Sequence, residues 1–245
     1  MDGQDHGHRS AWHPLPLTDA SVAASGSWTV WYVPETGSTN ADLLAVPDAP
    51  DRTVLVTGHQ TAGRGRLDRT WEAPPGANLL TSIVFVDVPE QPGELTRAVG
   101  IAAVDAVAAV AGREARLKWP NDVLLDGRKL AGILAQRSPA GPVVVGIGLN
   151  VGWAPEGAAH LGAGIDPVAV LTELLRALHD TTADHQARYR ELLDTLGREV
   201  RVELPSGDLV GRAVDVDPDG RLAVIDACAI THHIDAGDVV HLRPV

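Results

Sequence analysis

Between Thr96 and Ala111 the chain runs through alanine, valine and isoleucine with almost no polar stripe. A helix that is apolar nearly all round cannot lie on a surface; it must pack deep against a sheet. The neighbouring segments supply that sheet. Trp28–Val33 reads as a strand from its aromatic and β-branched content, and Thr53–Thr57 is a compact strand ending at Gly58. Leu79–Val86 is another, and Val143–Leu149 is apolar enough for burial on both faces. At 245 residues the chain has room for one substantial core and a small appended module.

Further helices follow from caps and spacing. Thr39–Ala45 is expected to be short, with Ser38 or Thr39 as N-cap. Asp166 before Pro167 signals a helix start, and Leu171, Leu174, Leu175 and Leu178 follow on one helical face. Tyr189, Leu192, Leu193 and Leu196 repeat that spacing up to Gly197, where the helix should stop. The pattern leaves open whether Thr181 and Thr182 divide this region into two helices.

After Gly197 the texture changes. Val200, Val202 and Leu204 alternate with polar residues, and turns are signalled at Ser206-Gly207-Asp208 and at Asp217-Pro218-Asp219-Gly220. Five short strands are expected, one through the segment Ala227–Ile230 around Cys228, another over Val239–Leu242. That describes a small all-β barrel. The expected organisation is therefore a partly disordered tail over 1–27, an α/β domain over 28–196 and a β module over 197–245. Within the tail, residues 1–13 have little to bury, His6 and His8 included, and Leu17–Ala24 could form a short helix.

Bulk properties exclude several roles. The net charge is −12 and no Lys/Arg run occurs, so sequence-independent nucleic-acid binding is not expected. The single cysteine, Cys228, rules out an intrachain disulfide and fits a reducing, cytoplasmic compartment; its apolar neighbours suggest a small core residue. Nothing in the sequence has membrane-spanning length, and no secretory signal is seen. The histidines from His160 to His241 show no metal-ligand spacing, while His6 and His8 could bind adventitious metal but read rather as part of a charged tail.

Two segments carry chemistry. Gln60-Thr61-Ala62-Gly63-Arg64-Gly65-Arg66 combines cations with two glycines able to adopt positive φ, so amides and guanidinium groups could converge on an anion. Trp71 follows, either as an aromatic cover for a purine or as a core residue. Downstream, Lys118-Trp119-Pro120-Asn121-Asp122 and Lys129-Leu130-Ala131-Gly132 flank a turn at Asp126-Gly127, which reads as a hairpin. Lys118, Asn121, Asp122 and Lys129 then gather near one end of it. Either they pair internally or they meet something charged.

These segments, with Gly37-Ser38-Thr39-Asn40, Pro75-Gly76-Ala77-Asn78-Leu79 and Gly146-Ile147-Gly148-Leu149-Asn150, stand in the order and spacing of biotin protein ligases. The resemblance is close over 36–150, and the β module resembles that family's C-terminal domain. It implies an α+β fold: a catalytic domain like that of class II aminoacyl-tRNA synthetases, a mixed sheet with helices, joined to an SH3-like barrel. It also implies ATP-dependent formation of biotinyl-5′-AMP with pyrophosphate release. Biotin then passes to a lysine of a biotin carboxyl carrier protein domain.

By motif position, Ser38, Thr39, Asn40 and Gln60 would meet biotin's ureido and ring groups. Gly63, Arg64, Gly65 and Arg66 belong to the family's biotin- and phosphate-binding loop, and Trp71 would stack on adenine. Lys129 would contact the biotin carboxylate and the α-phosphate, while Asn121, Asp122 and Asn150 would lie on the nucleotide side. Arg64, Arg66, Asp122 and Lys129 are thus the expected catalytic set, with ATP, biotin and Mg²⁺ as cofactors. The loop departs from the family in one respect: Asp68 stands where a glycine is usual, putting a negative charge near the phosphates. Lipoate ligases and octanoyltransferases share the catalytic architecture and are the alternative. The resemblance leaves a monomer or a weak homodimer open. Some relatives carry an N-terminal winged helix, but only about 27 residues precede Trp28, too few for a recognition helix in such a domain.

Overall fold

The structure is a computed structural model that describes residues 11–15, 28–67, 69–139, 141–180, 185–204, 207–235 and 237–241. The expected helix at Leu17–Ala24, the tail histidines His6 and His8, Asp68 and the Thr181-Thr182 junction lie outside these residues.

An eight-stranded mixed sheet forms the centre: β1 (His13–Pro14), β2 (Thr29–Thr36), β3 (Thr53–Gln60), β4 (Leu79–Phe85), β5 (Ala115–Lys118), β6 (Asp122–Leu125), β7 (Arg128–Arg137) and β8 (Val143–Leu149). Their spatial order is β1-β2-β3-β4-β8-β7-β6-β5. Only β2 and β3 run parallel; the other neighbours are antiparallel. β1 is a correction: its residues pair with Trp31 and Tyr32, so ordered backbone begins before Trp28.

The apolar runs of β4 and β8 are buried on both sides, as their composition requires. Ile83 and Val145 point to the larger cluster, while Val84 and Val144 point to a smaller one on the opposite face. The smaller cluster is covered by α1 (Thr39–Leu44) through Leu43. The larger one receives α2 (Gly93–Ala111), whose Val99, Ala102, Ala103, Ala106 and Val107 are fully buried. This is the helix without a polar stripe; it ends at Gly112 in the left-handed conformation.

Helix α3 (Pro167–Asp180) packs on α2 and starts as expected, with Asp166 Oδ1 accepting the Val168 amide at 2.9 Å. Helix α4 (His185–Leu192) ends earlier than the spacing implied. It stops at Leu192 rather than Gly197 because Leu193 bridges to Leu117 and the Asp194 amide donates to the Leu117 carbonyl. The strand edge takes the backbone that the helix would have used.

Five antiparallel strands follow: β9 (Glu199–Glu203), β10 (Leu209–Val216), β11 (Leu222–Asp226), β12 (Thr231–Ile234) and β13 (Asp238–His241), in the order β12-β11-β10-β9-β13. The number of strands is as expected, but the fourth starts after Cys228. Asp226 Oδ1 accepts the amides of Cys228 and Ile230, which folds this apolar segment into a turn. Cys228 is therefore exposed, not a core residue.

Candidate functional site

The strands converge on a cavity of about 400 Å³ that opens beside the Arg64–Trp71 loop. Its floor is made by glycines. A Cβ at Gly146 would collide with Asn40 Oδ1, and one at Gly148 would lie 2.5 Å from Trp71 Nε1. At Gly132 the nearest atom, Trp71 Cζ3, would be 3.1 Å away. Side chains on these strands would fill the space that now admits Trp71 and Asn40.

One end of the cavity is a buried polar network. Thr39 donates to Gln60 Oε1 from its amide (2.9 Å) and its hydroxyl (3.1 Å), and its Oγ1 lies 2.6 Å from Ser82 Oγ. The Ser82 hydroxyl donates to Asn40 Oδ1 at 2.6 Å, and Asn40 Nδ2 donates to the Leu134 carbonyl and Gln136 Oε1. Ser38 occupies the N-cap position of α1 but makes no side-chain capping bond; it lines the cavity instead.

The other end is cationic. Lys129 Nζ is 2.7 Å from Asp122 Oδ1 and lies over the Trp71 ring, 5.7 Å from its centroid. The internal Lys129–Asp122 pair exists, and both residues line the cavity. Arg66 donates to Asn121 Oδ1 at 3.2 Å, while Asn121 Nδ2 donates to the Ile133 carbonyl at 2.7 Å. Burial lowers the Arg66 pKa, and the carboxylates of Asp238 and Asp122 oppose that shift. Arg64 lines the same end and bridges to Thr70.

The loop glycines act differently from expectation. Neither Gly63 nor Gly65 has positive φ; in this loop it is Leu67, at φ 53°, that does. Gly63 is required by close approach, since a Cβ there would run into the Trp71 carbonyl oxygen. The Gly63 carbonyl accepts the Trp71 amide at 2.9 Å, and the residue does not line the cavity. Trp71 is half-buried, with one part packed on Gly148 and with Nε1 buried and, among the described residues, unpartnered.

Asn150 reaches the cavity, but its amide group is committed to the scaffold. Nδ2 donates to the Ala159 carbonyl at 3.0 Å and Oδ1 accepts from Asn78 at 3.2 Å. Asn78 in turn accepts the amides of Val151 and Trp153. Lys118 does not line the cavity. Three participants escaped the sequence reading. Ser82, fully buried in an apolar strand, had its polarity as the signal. Asp238, which pairs with Arg69, and Gln136, which fixes Asn40, had none, because each arrives from a distant strand.

Models of two domain families match the chain: the biotin/lipoate A/B protein ligase family over residues 32–152 and the biotin protein ligase C-terminal domain over 195–242. A biotin--[acetyl-CoA-carboxylase] ligase of Mycobacterium tuberculosis is 44% identical over 254 residues, covering 93% of this chain and 94% of that protein. The bifunctional ligase/repressor BirA of Escherichia coli is 28% identical over 237 residues, covering 85% and 74%. Among solved structures, the biotin protein ligase of Aquifex aeolicus in complex with biotin and ATP superposes with a TM-score of 0.76 at 26% identity, covering 88% of this chain and 99% of that one. With a polar pocket, a glycine floor and a cationic mouth in one cavity, and with the mycobacterial relative matched over 94% of its length, the chain belongs to the biotin/lipoate A/B protein ligase family, on its biotin protein ligase branch.

Proposed function

We propose that the chain is an ATP-dependent biotin protein ligase. The observation that carries this is the division of one cavity into three chemistries: the Thr39–Asn40–Gln60–Ser82 network, the apolar floor under Trp71, and the Arg64–Arg66–Lys129 cations. A ureido group needs several buried partners, a thiophane ring and aliphatic tail need an apolar channel, and a carboxylate needs positive charge at its far end. In this reading Ser38, Thr39, Asn40 and Gln60 hold the bicyclic head. Lys129 and the arginines receive the carboxylate and the α-phosphate, and Trp71 offers its free face to adenine. Gly63 and Asn150 serve the scaffold of the site.

The first step joins two anions. A carboxylate oxygen bonds to the α-phosphorus, the bond from that phosphorus to the bridging oxygen breaks, and pyrophosphate leaves. Arg64, Arg66 and Lys129 neutralise and align the reactants, so catalysis rests on positioning and electrostatics. Asp122 fixes the Lys129 ammonium group. In the second step a lysine amine of the acceptor attacks the acyl carbon and AMP departs. Mg²⁺ is part of the proposal: Asp122, which with Asp238 is a carboxylate beside the cations, would hold it. When bound it would offset phosphate charge.

The acceptor is proposed to be a biotin carboxyl carrier domain of a carboxylase such as acetyl-CoA carboxylase, from the substrate named for the mycobacterial relative. A cytoplasmic setting, and the class II synthetase-like and SH3-like descriptions of the two sheets, belong to the same reading. Among the described residues no helix is long and apolar enough to cross a membrane. Lipoate and octanoate lack a ureido group and would leave the buried polar network without a ligand partner, which favours biotin. Pyrophosphate release tests this directly: biotin should stimulate it and lipoate should not, and the reverse result would assign the site to lipoate.

A further inference from the structure

A second cavity, of about 330 Å³, lies behind Arg66 and Asn121, which line both cavities. It is formed by the first turn of α2, the Trp119-Pro120 turn and the Asp219–Arg221 turn of the C-terminal sheet. Trp119 closes the seam, its indole donating to the Gly220 carbonyl at 2.9 Å.

Arg97 is the anomaly there. It is only 6% exposed, and among the described residues it forms no ion pair. Its Nη2 donates to the Pro218 carbonyl at 3.3 Å, and its Nε is buried without a partner. A buried cation without a counter-charge is strongly unfavourable, and nothing else in the mechanism uses this one. By contrast, Arg221, which also lines the cavity, is compensated by Asp219 at 2.8 Å, with Asp217 and Asp235 within 3.8 Å. Asp219 and Asp235 also line the cavity, against the three guanidinium groups of Arg66, Arg97 and Arg221. The buried Tyr189 lines the cavity too and lies within reach of the Arg97 charge. Gly93 and Thr96 place the start of the 19-residue helix α2 at the same wall, where its dipole favours an anion.

We infer that this cavity is a separate binding site for a phosphate-class anion, seated on the Arg97 guanidinium between the catalytic sheet and the C-terminal sheet. A guanidinium fork matches phosphate oxygens in geometry and in charge. The choice of phosphate chemistry rests on the ATP-dependent reading of the neighbouring cavity, whose reaction releases pyrophosphate on the other side of Arg66. The bound anion supplies the counter-charge that Arg97 lacks and bridges α2 to the Asp219–Arg221 turn. Pyrophosphate from the reaction and free inorganic phosphate share this chemistry.

The test is calorimetric titration of pyrophosphate, and separately of inorganic phosphate, into protein whose first cavity is filled by a non-hydrolysable biotinyl-adenylate analogue. Gly93→Asp is the informative variant. Gly93 is exposed, its Cβ would lie 3.7 Å from Arg97 Nη1, and an acidic residue suits the first turn of a helix. The new carboxylate would occupy the guanidinium without removing it. One anion per chain should bind with the analogue in place, at least tenfold more weakly in Gly93→Asp and in Arg97→Gln. Preference for pyrophosphate would identify the product as the ligand, and preference for phosphate the free ion; either supports the site. Absence of binding by both anions, or binding unchanged in Gly93→Asp, would overturn it. Failure of the analogue itself to bind would count against the first cavity's assignment instead. The titration is then read on the free protein, where loss with Gly93→Asp but not with Lys129→Ala supports the second site and any other pattern overturns it.

Discussion

Gly148→Ala probes the floor of the cavity with a single methyl group. Its Cβ would stand 2.5 Å from Trp71 Nε1 and 2.9 Å from Trp71 Cζ2. Unstrained contacts of this kind lie at about 3.5–4.0 Å, so the indole must withdraw by roughly 1 Å. The strand cannot give way, because Gly148 is paired with Leu80 on one side and Gly132 on the other. Overpacking of this kind typically costs about 1–3 kcal/mol. If Trp71 receives the adenine, stacking worth about 1–3 kcal/mol is put at risk. At 1.4 kcal/mol per tenfold, the dissociation constant for ATP should rise about 5- to 150-fold. Isothermal titration with a non-hydrolysable ATP analogue, at saturating biotin, measures this, and biotin's own affinity should move by a smaller factor. Trp71→Ala should produce a similar nucleotide defect without added strain. A folded Gly148→Ala protein that binds the nucleotide within twofold of wild type would refute the role given to Trp71.

Lys129→Ala and Arg66→Ala should each slow adenylate formation, measured as biotin-dependent pyrophosphate release, by about 10²–10³-fold, the scale of losing one preorganised donor. Near-normal release by Lys129→Ala would remove it from the mechanism. A separate effect concerns pH. Burial, with Lys118 and Arg198 nearby and Asp194 opposing them, pushes the His241 pKa down to about 4. The folded chain therefore binds fewer protons than the unfolded chain between about pH 6.5 and 4, so stability falls as pH falls through that window. Because the imidazole is only half-buried, the loss should be on the order of 1–2 kcal/mol. Chemical denaturation across that range should show a shallower decline in His241→Gln; parallel curves would contradict the assignment.

Local chemistry was legible in the sequence where a short segment determines its own structure. The helix over Gly93–Ala111 announces itself by lacking a polar stripe, and the turn at Asp126-Gly127 has both residues at positive φ, 51° and 71°. Asp166 caps α3 as its position implies. The polar residues of the site were visible through the family resemblance of their motifs: Thr39, Asn40, Gln60, Arg66, Asp122 and Lys129 all line one cavity.

What remained hidden depends on through-space neighbours. Gly63 is needed because the Trp71 carbonyl passes close by, not because its own φ is unusual. Cys228 reads as core until the Asp226 carboxylate captures the amides around it. Asp238 reaches Arg69 across 169 positions of chain, and no local pattern encodes that pairing. Arg97 looks like an ordinary polar break in a helix; its burial without a counter-charge among the described residues emerges only when the C-terminal sheet closes over it.

The central claim is that one cavity couples biotin to ATP and hands the acyl group to a lysine. Intact-mass spectrometry of a biotin carboxyl carrier domain, incubated with this protein, biotin and ATP, tests it most directly. The account predicts a gain of one biotinyl group per domain, dependent on ATP and lost when the acceptor lysine is replaced. An acceptor whose mass is unchanged with biotin, but which gains a lipoyl group when lipoate is supplied, would contradict it.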